Sequence, residues 1–346
     1  MIKPERLRKG DKVAFVSLSS GLLGEPALLH KYHIAKKRLE DDFGLEVVCM
    51  EHALSGLQYI SEHPEARAED MMNAFRDPSI KGVFCAIGGD DTIRLLPYID
   101  FDVLRDNPKI FTGFSDTTVN HFMLNKVGVC SYYGASVMCD LAEYVAINDY
   151  SRDMIVRTLF EPQDELVIPP SPYCCYEGET IRWSEDNTDK PQPYKPDGVG
   201  YELLCGSGTA EGELLGGCID VFPMFCGTTL WPSPDEWRGK ILCLETSEDH
   251  MRPCALKWLL RGLAAQGIFR AVSGVLVGKP AYPDSYEPYK ETLREVIVGE
   301  EKLTDLPVLY NVNFGHSSPR CVLPFGIRCR IDCAERSITL LEPATL

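Results

Sequence analysis

The sequence predicts an α/β fold in which a parallel sheet is covered by helices on both faces, with a second domain beyond it. Short β-forming segments alternate with segments of helical spacing, which is the pattern of a parallel sheet. Some of these segments, such as Gly82–Ile87 (GVFCAI), are apolar throughout, as expected for strands buried on both faces. The chain has 346 residues, and this length favours two domains over one core.

The first half of the chain supplies four predicted strands and four predicted helices in alternation. The predicted strands are Lys12–Ser19, Leu45–Met50, Gly82–Ile87 and Ile110–Gly113. The predicted helices are Pro26–Phe43, Pro64–Phe75, the short Asp90–Pro97 and Asp116–Lys126. Gly44 provides a stop signal for the first helix, and Pro64 suits the first turn of the second.

The middle of the chain differs in composition. Residues 169–208 are rich in proline, glycine and polar residues and lack a sustained period, which predicts a functional loop or linker. Regular segments then resume, with predicted strands at Lys240–Leu244 and Ala271–Leu276, helices at Cys254–Gln266 and Glu287–Ile297, and hairpins within Cys321–Leu341. We therefore divide the chain into residues 1–168, the inter-domain loop 169–208, and residues 209–346.

Composition excludes several classes of function. The formal net charge is −16, which disfavours binding to nucleic acid or to anionic membranes. No apolar run approaches the length of a membrane span, and the N-terminus lacks the apolar segment of a signal peptide. The 14 cysteines lie mostly in apolar stretches without zinc-ligand spacing, which predicts free thiols in a reducing cytoplasm and no metal site.

The sharpest chemical motif is Lys109–Thr118 (KIFTGFSDTT), in which a short strand leads through Gly113 to Ser115 and then into a helix. A serine on such a turn would lie at the carboxyl edge of the sheet, where open α/β sheets bind ligands. The free N–H groups of the helix would stabilise an oxyanion beside Ser115. Thr117 stands where a nucleophile elbow has its last glycine, and Ser115 as a plain helix cap is the alternative.

A second turn, Ala86–Thr92 (AIGGDDT), also follows a buried strand. Gly88 and Gly89 would let the backbone approach a ligand closely. The turn could hold a phosphate, complete an oxyanion hole, or be an ordinary connection between strand and helix. The sequence has neither a GxGxxG pattern nor a Walker lysine here, so the phosphate interpretation is the weakest of the three.

A serine nucleophile needs a base and an orienting carboxylate. His316 lies in a polar loop, Asn311–Pro319 (NVNFGHSSP), and Glu245 ends the apolar strand ILCLE. Glu248 and Asp249 are alternative carboxylates. Equally, His316 could be a turn histidine bonded to backbone, and Glu245 a solvated strand end.

Several segments, taken in order, resemble the LD-carboxypeptidase family of serine peptidases. These segments are Leu7–Val16 (LRKGDKVAFV), Arg67–Gly82 (RAEDMMNAFRDPSIKG), Gly88–Gly89, Asn107–Thr118 (NPKIFTGFSDTT), Gly212–Cys218 (GELLGGC), Leu244–Glu245 and Asn313–His316 (NFGH). The resemblance covers nearly the whole chain, and the joint order of the segments makes it specific.

The resemblance implies a Ser-His-Glu triad, which falls on Ser115, His316 and Glu245. It implies oxyanion donors at the backbone N–H groups of Asp116 and of Gly89, with Gly88 as the alternative within the glycine pair. It also implies a Rossmann-like N-terminal domain with the nucleophile, a smaller mixed α/β C-terminal domain with the other two triad members, a homodimer, and no cofactor or metal.

Two branches of the family imply different substrates. One trims D-alanine from murein tetrapeptides, whereas the other resembles the microcin C self-immunity peptidase and cleaves an amide in an aminoacyl-nucleotide conjugate. The long loop with Trp183 favours the second branch, in which a loop tryptophan stacks on the ligand. The resemblance thus implies that Trp183 and Gly88 bind the substrate. Equally, Trp183 could be a loop aromatic that packs the two domains together. The acidic sequence TSEDH after Glu245 departs from the basic residue of that branch. A non-catalytic nucleotide- or peptide-binding protein and a metal-dependent amidase are the alternatives from other classes.

Overall fold

Two β-sheets organise the protein, in a computed structural model that describes all residues from Met1 to Leu346. The strands are β1 Lys12–Val16, β2 Glu46–Cys49, β3 Ile80–Cys85, β4 Ile110–Gly113, β5 Ser131–Tyr133, β6 Leu166–Ile168, β7 Tyr173–Cys174, β8 Lys195–Pro196, β9 Glu202–Cys205, β10 Thr209–Cys218, β11 Ile241–Glu245, β12 Gly274–Gly278, β13 Val308–Val312, β14 Leu323–Phe325, β15 Arg328–Asp332 and β16 Ser337–Leu340. The α/β class that the alternation predicts is confirmed.

The first sheet has the strand order β14-β5-β4-β3-β1-β2. Strands β1 to β5 pair in parallel, and only β14 runs antiparallel, against β5. Its central strands are apolar and almost fully buried, because helices cover both faces of a parallel sheet. The carboxyl ends of β3 and β4 therefore lie side by side at one edge of this sheet.

The second sheet has the order β6-β16-β15-β10-β11-β12-β13-β9. Strands β10 to β13 form its parallel centre, and the flanking strands run antiparallel. β11 carries Glu245 as its last residue, so this carboxylate lies at the carboxyl edge of the parallel centre. A separate short pair, β7 with β8, lies within the proline-rich segment.

Helices connect and cover the strands. The α-helices are α1 Leu29–Asp41, α2 Gly56–Glu62, α3 Pro64–Arg76, α4 Phe101–Asp106, α5 Thr118–Lys126, α6 Asp149–Ile155, α7 Phe222–Phe225, α8 Pro253–Ala265, α9 Ile268–Ala271 and α10 Tyr286–Arg294. Shorter 3-10 or π-helical turns are Leu22–Gly24, Thr92–Tyr98, Ser115–Thr117, Val137–Leu141, Val156–Phe160, Glu185–Asn187, Pro283–Ser285 and Glu295–Glu300. None of these helices combines the length and the apolar content that a membrane span requires.

One of the apolar core clusters contains residues from both sheets. Phe122 of α5, on the first sheet, stacks on Trp231 with the ring centroids 5.9 Å apart and packs at 6.1 Å on the fully buried Trp237. A hydrogen bond reinforces this contact, since the Cys218 N–H donates to the Thr118 hydroxyl over 3.0 Å. The helix that follows Ser115 is thereby fixed against the second sheet.

The chain also crosses between the sheets. Strand β6 pairs with β16 in the second sheet, and β14 returns from the C-terminal half to pair with β5 in the first. The predicted boundaries at residues 168 and 208 stay a prediction. The segment between them is not free of regular structure, because it contains β7, β8 and β9.

Most predicted elements are found, and the differences have local causes. The segment predicted as a helix at Asp90–Pro97 is a 3-10 helix over Thr92–Tyr98, and Pro97 within it has no backbone N–H to donate. The helix predicted from Asp116 begins at Thr118, after a 3-10 turn over Ser115–Thr117. All 14 cysteines are free thiols.

Candidate active site

Ser115 occupies a strained turn between β4 and α5. Its φ is +64°, a left-handed conformation that is uncommon for a residue with a side chain. Two hydrogen bonds hold this conformation: the Ser115 N–H donates to the Tyr133 hydroxyl over 3.1 Å, and the Thr118 hydroxyl donates to the Ser115 carbonyl over 2.7 Å. The turn directs the serine side chain into a pocket, as a nucleophile elbow does.

The Gly88–Gly89 turn packs directly against Ser115. A Cβ atom on Gly88 would lie 2.6 Å from the Ser115 Cβ and 3.3 Å from the Asp116 backbone nitrogen. Gly89 has φ +152°, and a Cβ there would lie 2.3 Å from the Ser19 Oγ. Only glycine fits at both positions. Because neither residue has a side chain, the backbone of this turn lies close to Ser115 and to the backbone N–H of Asp116.

The side chain of Asp116 links the two turns through hydrogen bonds. It is fully buried, and its Oδ2 accepts hydrogen bonds from the Ser19 hydroxyl at 2.6 Å and from the Thr92 N–H at 2.8 Å. Its other oxygen has no partner. Asp116 thus connects the turn that follows β4 with the loops that follow β1 and β3.

His316 and Glu245 form a buried pair. The His316 Nδ1 lies 2.7 Å from the Glu245 Oε2, and the Glu245 side chain is fully buried. Gly315 closes over the carboxylate so tightly that a Cβ there would lie 2.6 Å from Oε2. The His316 ring packs edge-on against Phe114, the neighbour of Ser115, at 5.1 Å between centroids. The loop thus holds the imidazole beside the serine turn with its Nδ1 bound to a carboxylate.

A second carboxylate lies at the other nitrogen of His316. The Glu248 Oε2 is 3.0 Å from Nε2, but the atoms are not aligned for a hydrogen bond, and Nε2 has no hydrogen-bond partner. Burial opposes a charged imidazole, yet Glu245 and Glu248 together raise the pKa of His316 to about 10. The His316 imidazole in turn lowers the pKa of Glu248 to about 2.

The pocket above these groups measures about 250 Å³. Its lining comes from both halves of the chain and from the proline-rich segment. The lining residues are Ser20, Leu22, Ile87, Gly88, Gly89, Phe114, Ser115, Cys139, Glu177, Trp183, Glu248, His316 and Arg320. The structure therefore brings Ser115, Gly88, Gly89, Trp183 and His316 together around one cavity.

Trp183 is held in the pocket wall by a buried lysine. The Lys31 Nζ lies 4.6 Å from the centre of the Trp183 ring and 4.2 Å from that of Tyr144. It donates to the Ala142 carbonyl over 3.0 Å, and burial lowers the pKa of Lys31 to about 8. The Lys31 cation over one face of the indole fixes the ring, and the ring lines one wall of the pocket.

Arg320 is the one arginine or lysine among the lining residues, and its charge is balanced. It forms a 2.7 Å ion pair with Asp140, and both side chains are buried. Its Nε donates to the Gly315 carbonyl over 2.7 Å, and its guanidinium lies 4.5 Å from the Phe114 ring. Arg320 therefore supports the His316 loop, while Glu177 and Glu248 give the pocket an acidic character.

Cys218, Glu245 and His316 offer potential metal-ligand atoms within 4.8 Å of one another. Burial, with the nearby Glu245 and Asp220, raises the pKa of Cys218 well above its usual range. A metal prefers the thiolate, and the His316 Nδ1 is already engaged by Glu245. The chemistry of these donors fits a hydrogen-bonded network better than a metal centre.

Sequence reasoning missed Tyr133, Arg320 and Asp140. Tyr133 ends the strand next to β4, so its position at the carboxyl edge of a parallel sheet was a usable signal. Arg320 and Asp140 had none, because their pairing joins residues 180 positions apart. The candidate carboxylates differ in their positions at His316. Glu245 contacts Nδ1 and Glu248 lies at Nε2, whereas Asp249 forms no ion pair with the ring.

The family models agree with this architecture. Residues 13–134 match the LD-carboxypeptidase N-terminal domain, and residues 211–331 match the LD-carboxypeptidase C-terminal domain. The chain belongs to the LD-carboxypeptidase family, and it is a serine carboxypeptidase or amidase of that family. The family resemblance of the sequence is thereby confirmed.

Three similar proteins place the chain within the family. The Escherichia coli microcin C7 self-immunity protein MccF is 29% identical, over 82% of this chain and 80% of its own length. A Bacillus subtilis protein with the name "Probable murein peptide carboxypeptidase" is 26% identical, over 98% of this chain and 94% of its own. A MccF-like protein from Streptococcus pneumoniae, solved in complex with AMP, is 38% identical with a TM-score of 0.87, over 96% of this chain and 98% of that chain.

Proposed function

We propose that the enzyme cleaves an amide bond in an aminoacyl-nucleotide conjugate with a triad of Ser115, His316 and Glu245. The observation that carries the proposal is the convergence, on one pocket, of the strained Ser115 turn and a histidine bound to a buried carboxylate. This is the arrangement of nucleophile, base and orienting acid with which serine peptidases hydrolyse amides.

The proposed reaction begins at Ser115. Neutral His316 takes the serine proton on Nε2, and the serine oxygen attacks the amide carbonyl. The backbone N–H groups of Gly89 and Asp116 hold the oxyanion, and the close packing of the Gly88–Gly89 turn on the serine supports this assignment. His316 then protonates the leaving amine, and water hydrolyses the acyl-enzyme. Glu245 fixes the tautomer and orientation of the imidazole from Nδ1.

Trp183 supports the choice of a nucleotide conjugate. Its ring lines the pocket with a cation beneath one face, and an indole face is a stacking surface for a nucleobase. A MccF-like relative has been solved with AMP, and the microcin C7 self-immunity protein is a further relative. The acidic pocket, with Arg320 paired to Asp140, offers no unpaired cation for a phosphate, so we place recognition on the base and the aminoacyl group.

A murein tetrapeptide is the second candidate substrate, since a murein peptide carboxypeptidase name occurs among the relatives. The homodimer that the family resemblance implies and the cytoplasmic location remain predictions. A non-catalytic binding protein would share the pocket but would have an unreactive Ser115.

The test is hydrolysis of two substrates, aspartyl sulfamoyl adenosine and a murein L-D tetrapeptide, by the wild type, Ser115→Ala and Ser20→Ala. Ser20 lines the same pocket and provides the matched control. We expect turnover of the nucleotide conjugate to fall by roughly 10³-fold or more in Ser115→Ala and to persist in Ser20→Ala. Turnover of the tetrapeptide alone would replace the proposed substrate, and full activity of Ser115→Ala would refute the nucleophile.

A further inference from the structure

Tyr133 connects the two ends of the proposed triad. It is the last residue of β5 and is fully buried. Its hydroxyl lies 3.1 Å from the Ser115 backbone nitrogen and 2.5 Å from the Glu245 Oε1. One phenol oxygen therefore touches both the nucleophile turn of the first sheet and the carboxylate of the second.

The direction of both hydrogen bonds is fixed by chemistry. A carboxylate only accepts, so the single phenolic hydrogen goes to Glu245, and the phenol oxygen must accept the N–H of Ser115. Burial, reinforced by Glu245, raises the pKa of Tyr133 well above its usual value near 10. The hydroxyl thus stays protonated and keeps both bonds across the working pH range.

We propose that Tyr133 is a positioning residue that fixes the left-handed Ser115 turn and the Glu245 carboxylate with one hydroxyl group, an inference that rests on the proposed function. The N–H of Ser115 is occupied by this bond, so the oxyanion must be held by other N–H groups. The Glu245 Oε1 is occupied by the same phenol, which leaves Oε2 for the 2.7 Å bond to His316.

The bond to Glu245 also adjusts the basicity of His316. A donor to Oε1 stabilises the carboxylate charge and weakens its pull on the imidazole proton. Loss of this donor would raise the pKa of His316. Since His316 acts as a base only when neutral, the acidic limb of the pH–rate profile would move to higher pH. A residue with a merely structural role would not shift this limb.

The experiment compares wild type, Tyr133→Phe and Tyr132→Phe. Tyr132 is the matched control, because it is fully buried on the same strand and its hydroxyl donates to the Ala344 carbonyl over 2.8 Å, outside the pocket. The probe is diisopropyl fluorophosphate, whose attachment to Ser115 is followed by mass spectrometry from pH 5 to 11, a range that includes the His316 pKa of about 10. This readout requires no knowledge of the natural substrate. Thermal melting of each variant reports folding.

We expect Tyr133→Phe to be labelled roughly 10- to 100-fold more slowly, the effect of leaving buried partners unsatisfied. We expect its acidic limb to move upward by about half a pH unit or more, and Tyr132→Phe to match the wild type. A wild-type rate and an unmoved limb in Tyr133→Phe would overturn the inference. An unlabelled wild-type Ser115 would refute the proposed nucleophile first, and the inference would fall with it.

A second variant covers the case in which Tyr133→Phe does not fold. Site-specific 3-fluorotyrosine at position 133 keeps both hydrogen bonds but makes the phenol a stronger donor. The acidic limb should then move to lower pH, opposite to Tyr133→Phe. A limb that does not move in the folded fluorotyrosine protein would also overturn the inference.

Discussion

Glu248 should set the pH at which the enzyme becomes active, and Glu248→Gln is the perturbation that reveals it. Its carboxylate lies 3.0 Å from the His316 Nε2, the nitrogen that takes the serine proton in the proposed mechanism. The negative charge stabilises the imidazolium and contributes to a His316 pKa of about 10. The neutral amide of glutamine removes that charge and retains the size of the side chain.

The magnitude follows from the distance and the exposure. Two unit charges 3.0 Å apart attract by about 1.4 kcal/mol in a water-like medium. We use the water-like medium because 54% of the Glu248 side chain is exposed, which screens the pair. A difference of about 1.4 kcal/mol corresponds to one pKa unit. Removal of the charge therefore lowers the pKa of His316 by roughly one unit, and the acidic limb moves to lower pH by the same amount.

The assay is the pH dependence of kcat/KM on aspartyl sulfamoyl adenosine, or of Ser115 labelling if that substrate is not turned over. Glu177→Gln is the matched control, because Glu177 lines the same pocket without an ion pair to His316. We expect higher activity near pH 7 in Glu248→Gln and an unmoved limb in the control. An acidic limb that stays in place or moves upward in Glu248→Gln would refute the electrostatic reasoning.

Three further changes test the pocket and its support. Gly88→Ala should lower kcat by roughly 100-fold, because the new Cβ would lie 2.6 Å from that of Ser115, whereas Gly198→Ala, which meets nothing within 4 Å, should match wild-type kinetics. Trp183→Ala should raise KM for the nucleotide conjugate by roughly 10-fold or more through lost stacking, and an equal rise for the tetrapeptide would contradict base recognition. Asp140→Asn should lower the free energy of unfolding by about 3 kcal/mol in urea titration, because buried Arg320 loses its counter-charge.

The sequence was informative where local chemistry dictates structure. The apolar strand before Gly113 and the helix after it predicted the turn at Ser115, and the Gly88–Gly89 pair predicted a close backbone approach. Both features depend on short-range constraints, namely strand burial and the absence of a Cβ. The polar loop of His316 and the strand end at Glu245 made these residues candidates, although no local pattern connects them to Ser115. The family resemblance then favoured Glu245 over the alternatives Glu248 and Asp249.

The remaining features depend on contacts between distant parts of the chain. The bond from the Tyr133 hydroxyl to Glu245 follows from the packing of one sheet on the other, and no periodicity encodes it. The same holds for the contact between Lys31 and Trp183, which are 152 positions apart. Lys31 lies in α1, whereas Trp183 lies in the segment that the sequence predicts to be an irregular loop. The position of Glu248 at Nε2 required the conformation of the loop after β11.

The return of β14 to the first sheet has a consequence for synthesis of the protein. Strand β5, which carries Tyr133, has β14 as its outer neighbour, and β14 is made only after more than nine-tenths of the 346 residues. A nascent chain therefore exposes the edge of β5 until β14 has been made, and exposed strand edges invite pairing with other chains. The first sheet can be completed only after the parallel centre of the second sheet has been made, so the enzyme cannot mature one sheet at a time.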